Sequence, residues 1–256
     1  MLNLEEIGIK SKLRVQKHGE VFTPKKIVNK MLDIKGVKEA CESLQTTFLE
    51  PAAGEGAFLV AILERKLNIV VKHYNDDLAR FENYSLLALT SLYGIELLED
   101  NAQTCVLNMF QAYYDIYQEQ VQYHNGKLKK KVLDSAKEII SSNIRQGNFL
   151  TKKAIDGNPL VFSEWSSVNM KKTTKRIKIQ RTEYTLDEIY ESVEKESGKA
   201  INKVLNKNIE PYKQLDLFDL LEEGHIDSED ENPKEMRYTP VNIIDVYKAE
   251  MEEADG

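Results

Sequence analysis

Three short apolar runs, at residues 47–50, 92–96 and 143–150, punctuate a chain whose other apolar positions recur every three or four residues. Runs of that length read as buried strands, and the spaced stretches as amphipathic helices. A helix over 56–66 is predicted to follow the first run. A second is predicted over 76–90, where Leu78, Phe81, Leu86, Leu87 and Leu89 make one apolar face. From 99 to about 140 the helical pattern is unusually long, and Asn125-Gly126 breaks it into a two-helix hairpin. Upstream, Thr23-Pro24 offers an N-cap and a first helical residue after an N-terminal arm, which places a helix over about 24–32.

Beyond residue 150 the pattern changes. Pro159 precedes a predicted edge strand at 160–162 with Trp165 as a core residue, and residues 176–180 alternate polar and apolar like a half-buried strand. Thr185-Leu186-Asp187-Glu188 is a capping box that opens a helix running to about Asn206. Then come Gln214-Leu215-Asp216-Leu217-Phe218, an acidic stretch at 222–235 with seven acids and one lysine, and a closing segment at 238–248. No internal repeat is present.

At 256 residues the chain is long enough for one α/β domain and a smaller appendage. Its apolar runs fall short of a membrane span, and its first residues lack a signal-peptide pattern, so a cytoplasmic protein is expected. Cys41 and Cys105 lie far apart with no CxxC spacing or neighbouring His cluster, which argues against a disulfide framework and a metal site. A net charge of −7 argues against general coating of nucleic acid, so any DNA contact is local. Lys171, Lys172, Lys175, Arg176, Lys178 and Arg181 form a basic run that would suit a backbone, with Tyr184 or Trp165 for stacking. The same run also reads as a solvated strand face.

The chemistry concentrates at 47–59, T-F-L-E-P-A-A-G-E-G-A-F-L, where a strand runs through Glu50-Pro51 into Gly54 and Gly56 ahead of a helix. An acid at the strand end suits a cationic ligand and would repel a pyrophosphate. The glycines let a ligand approach the backbone closely and would offer amides to its carboxylate. Glu96 ends the second strand, where an acid can accept from ribose hydroxyls. Together with G-E-V-F-T-P at 19–24 and Y-G-I-E-L at 93–97, this segment resembles the N6-adenine DNA methyltransferases, over about residues 18–150.

The resemblance implies a Rossmann-like S-adenosylmethionine-dependent methyltransferase sheet with helical insertions and a small C-terminal extension. With the pattern beyond residue 150, the chain is expected to divide into a cofactor-binding domain over 1–165, a basic strand and helix extension over 166–222, and an acidic linker and tail over 223–256. S-adenosylmethionine would be held by Glu50, Pro51, Gly54, Gly56 and Glu96, with Thr23 and Pro24 closing over its methionine end. Asn148, where the family usually has Asp, would meet the adenine amino group, and Phe149 would stack on the ring.

One part of the resemblance is missing. The family's Asn or Asp followed by Pro-Pro and an aromatic residue occurs nowhere in these residues. That tetrapeptide accepts the amino hydrogens of a flipped adenine and stacks on the base. Its nearest remnant is Asn158-Pro159-Leu160-Val161, so Asn158 and Pro159 are the catalytic candidates. Either a partner supplies catalytic or recognition parts, or the chain is a non-catalytic module that engages DNA or a protein. Gln214-Leu215-Asp216-Leu217-Phe218 is similar to peptides that dock on the bacterial sliding clamp; alternatively these apolar residues pack a terminal helix onto the body.

Overall fold

The computed structural model describes residues 12–18, 20–171, 174–201 and 236–253. Its first half comprises α1 (Lys12–His18), α2 (Lys25–Leu32), α3 (Val37–Cys41), β1 (Phe48–Glu50), α4 (Ala57–His73), α5 (Leu78–Leu89) and β2 (Leu92–Glu96). Next come α6 (Glu99–Tyr123), α7 (Lys130–Asn143) and β3 (Ile144–Gln146). The three strands form a parallel sheet in the order β1-β2-β3, pairing Phe48 with Leu92 and Gly94 with Ile144. Each crossover is a pair of helices, as the sequence pattern requires. Gly94 lets α4 settle onto the sheet, since a Cβ there would lie 2.9 Å from Leu59 Cδ1 and 3.0 Å from Ile144 Cδ1.

The hairpin expected at Asn125-Gly126 is present. Asn125 takes a φ of 50°, and the Gly126 N–H donates to the Val121 carbonyl at 2.8 Å. Inside the helical layer, Glu82 is buried and accepts from Tyr117 Oη at 2.8 Å and Lys129 Nζ at 2.6 Å. Lys66 is also fully buried, without a carboxylate partner among the described residues. Its ammonium donates to the carbonyls of Ser43 at 2.6 Å and Thr46 at 2.7 Å, fixing the loop that enters β1.

A second, antiparallel sheet contains β4 (Val161–Ser167), β5 (Lys178–Thr185) and β7 (Val241–Asn242) in that order; β6 (Met236–Tyr238) and β8 (Met251–Glu253) make a separate pair. β4 is an edge strand that contains Trp165 in its buried half, and its indole donates to Asn143 Oδ1 at 2.9 Å. Tyr93 on β2 donates from its hydroxyl to the Ser163 carbonyl at 2.8 Å, so the hairpin β4–β5 covers one face of the parallel sheet. A 3-10 helix at Ile243–Lys248 packs Ile243 and Val246 into the main core beside Trp165 and Ile177.

Several expectations are corrected. The α/β class holds, but the parallel sheet has three strands among the described residues, without the reversal of strand order that marks a doubly wound fold. The expected boundary between residues 165 and 166 falls inside β4, and residues on both sides share one core. Strand β5 begins two residues later than the alternation indicates, because the Ile177 N–H donates to Asn83 Oδ1 and its carbonyl accepts from Ile243 instead of a neighbouring strand's ladder. The capping box forms, with the Glu188 N–H on Thr185 Oγ1, but α8 stops at Tyr190 (Leu186–Tyr190). There Ser192 turns left-handed and Lys195 folds back onto Glu188 at 2.7 Å. Helix α2 starts at Lys25 with Pro24 as its N-cap, one residue later than expected. Residues 214–218 and 222–235 lie outside the described residues.

Candidate functional site

The C-terminal ends of the three parallel strands bring the candidate residues together. After β1 the chain turns at Pro51, and Gly54 and Gly56 adopt φ of 54° and 87° before α4 begins. Glu96, at the end of β2, is 7% exposed. One of its oxygens accepts the Gly54 N–H at 2.7 Å and the other the Leu98 N–H at 2.9 Å. The Glu96 carbonyl accepts the Gly147 N–H at 2.9 Å, and the Ile95 carbonyl accepts the Ala53 N–H at 2.9 Å. Three loops therefore meet on one residue. A carboxylate offers about four acceptor positions, so Glu96 keeps acceptor capacity for further donors.

The glycine amides themselves are committed. Gly54 donates to Glu96, and Gly56 donates to the Ala53 carbonyl at 2.8 Å. The contribution of these glycines is conformational, and a ligand carboxylate would have to use the free N–H groups in the first turn of α4 instead. Gly56 is also held by its surroundings, because a Cβ there would lie 2.8 Å from Cys105 Sγ. Burial, reinforced by the charges of Glu96 and Glu50, pushes the Cys105 thiol up to about 12. Burial likewise raises the Glu50 carboxyl, partly offset by the Ala52 N–H that it accepts at 3.3 Å.

The N-terminal arm reaches this loop. The Phe22 ring lies 3.6 Å from where a Cβ on Gly54 would be. Glu20 accepts from Arg14 Nη2 at 2.7 Å and from Asn101 Nδ2 at 2.6 Å, and Arg14 also pairs with Asp100 at 3.0 Å. The arm is thus fastened to the start of α6. Thr23 is half-buried next to Phe22, while Pro24 is exposed and its carbonyl accepts from Ile27 and Val28. Sequence reasoning named neither Phe22 nor Cys105 as a neighbour of the loop, nor Asn101 as the anchor of the arm. Only the quoted G-E-V-F-T-P segment carried a signal for the first.

Asn148 and Phe149 follow β3 but are occupied. Asn148 Oδ1 accepts the N–H groups of Leu150 at 2.8 Å and Thr151 at 3.2 Å, and the Phe149 ring packs against the small core of Ile95, Leu160, Phe162 and Leu186. Asn158 and Pro159 belong to the same loop, since Lys153 bridges to both Asn148 and Pro159. The Asn158 amide nitrogen donates to Asp156 at 2.9 Å, which makes a local turn.

In the basic run, Arg181 is corrected from a DNA contact to a buried structural residue. Its guanidinium donates to Glu138 at 2.7 Å and Glu183 at 3.1 Å. Lys175 pairs with Asp77 at 2.7 Å, Lys171, Arg176 and Lys178 are exposed, and Lys172 lies outside the described residues. Trp165 is too buried to stack on a base. Among the described residues no helix is long and apolar enough to cross a membrane.

The model of the family N-6 DNA methylase matches residues 10–184. Neither the curated proteins nor the solved structures give a match.

Proposed function

Because the chain belongs to the N-6 DNA methylase family, we propose that it is the S-adenosylmethionine-binding part of a DNA adenine methyltransferase, completed by groups from outside residues 1–256. The observation that carries this reading is the convergence on Glu96 of the glycine loop, the end of β2 and the start of the loop after β3. Two carboxylates at adjacent strand ends, Glu50 and Glu96, suit a ligand that presents ribose hydroxyls and a cationic amino acid portion. Phe22 lies against the same loop and would shield it from water, and Thr23 beside it would close over the methionine end of the ligand. When bound, S-adenosylmethionine supplies an electrophilic methyl group, and the acceptor is adenine N6 in DNA.

The commitment of Asn158 to a local turn favours a second reading, in which the chain binds the cofactor without turning it over. Calorimetric titration with S-adenosylmethionine and its demethylated product tests the first step. Binding lost in Glu96→Ala and weakened in Glu50→Gln is the expected result. Absence of heat with either ligand overturns both readings, and binding without adenine methylation in DNA from cells carrying the gene selects the second.

A further inference from the structure

The edge of β1 that no other strand pairs among the described residues borders a cavity of about 400 Å³ that the candidate cofactor site does not use. Its walls include Phe48 and Leu49, which point to opposite faces of the strand, so the cavity wraps the strand's edge instead of lying on one face. Tyr93, Phe162, Leu186, Ile189 and Val193 line it as well. Leu49, Ile189 and Val193 are 43%, 47% and 39% exposed, an unusual concentration of bare aliphatic surface on one groove.

Among the described residues the backbone there also has no strand partner on its outer side. The Phe48 N–H donates to the Ser91 carbonyl, toward β2, so strand alternation turns the N–H and C=O of Leu49 to the open side. A parallel sheet ordinarily has its strands enclosed, and a sheet that runs β1-β2-β3 ends at the position where a doubly wound fold would reverse direction. Charge identifies the visitor further. Glu164 lines the groove, is exposed, and makes no hydrogen bond or ion pair among the described residues, whereas Glu188 is already neutralised by Lys195 at 2.7 Å.

We propose that this edge receives an extended segment of a second polypeptide, which adds a strand beside β1, fills the groove with alternate apolar side chains and sets a lysine or arginine against Glu164. Main-chain pairing would supply affinity and the apolar pocket specificity. Pro51 has no N–H to offer, which confines the pairing to residues 47–50 and leaves the glycine loop free. The inference rests on the proposed function for the identity of the completed site, but the docking edge is tested without cofactor.

The experiment places a photo-crosslinking benzoylphenylalanine at Leu49 in the full chain, in cells carrying the gene, with the same group at exposed Tyr123 as control. Mass spectrometry should find a crosslink from position 49, absent from 123, to an alternating apolar segment of another polypeptide. Glu164→Lys should lower its yield by about fivefold or more, as loss of roughly 1 kcal/mol of charge pairing gives. Crosslinks only within the same chain, only to a second copy, or none at all overturn the proposal, as does a yield indifferent to Glu164→Lys. A chain that crosslinks but does not bind S-adenosylmethionine would fail the proposed function and leave the docking edge standing.

Discussion

Replacing Gly56 by alanine should destabilise the fold for two separable reasons. The residue sits at φ 87°, where an L side chain costs about 1–2 kcal/mol. The new Cβ would also lie 2.8 Å from Cys105 Sγ, an overpacking of the kind that costs about 1–3 kcal/mol. Gly56→Ala is therefore expected to lose about 2–5 kcal/mol in urea unfolding, if the terms add. Cys105→Ala removes the sulfur and leaves contacts of 3.4 and 3.5 Å to the Cα and Cβ of residue 105, which are ordinary. In that background Gly56→Ala should cost only the conformational part. A double-mutant cycle reads the difference as a coupling of about 1–3 kcal/mol. Equal costs in the two backgrounds would refute the steric account, and a single-mutant loss under about 0.5 kcal/mol would refute both parts.

Lys66 gives a test by pH. Burial lowers it from 10.5 to about 8, so between those values the unfolded chain binds the extra proton and stability rises with pH. The stability of wild type relative to Lys66→Met should therefore grow by up to about 3 kcal/mol from pH 8 to 10.5, measured by denaturant titration; a flat difference would contradict the burial. Cys41 and Cys105 are both buried with raised thiol values, so neither should react with a thiol reagent at neutral pH until denaturant is added. Rapid labelling of Cys105 in the native chain would count against the packing around Gly56.

What the sequence announced was mostly local. Asn125-Gly126 marked the α6–α7 turn, Thr185 and Glu188 formed their capping box, and Glu50-Pro51 with two glycines marked the loop after β1. What it concealed depends on partners far away in the chain. Arg181 reads as one more exposed cation until Glu138 and Glu183 are placed beside it. The helix expected beyond Glu188 ends early because Lys195 returns to that residue. The candidate site divides in the same way. Its position at the strand ends was legible, whereas the use of Gly54 by Glu96, the cover from Phe22 and the occupation of Asn148 follow from tertiary placement.

The parallel sheet also has a consequence for the order of assembly. Pairing Phe48 with Leu92, and Gly94 with Ile144, closes segments of more than forty residues, an entropic cost met before any strand contact repays it. Strands of three, five and three residues are too short to register by themselves. The helices between them carry the larger apolar surface and contact one another locally, so they act as the template on which the strands align. Pulsed hydrogen exchange during refolding should accordingly protect α6 before residues 92–96. Glu96 meets Gly54 only after the first crossover has docked, and takes the Gly147 N–H only after the second, which makes the loop that is most recognisable in the sequence late to take its full shape.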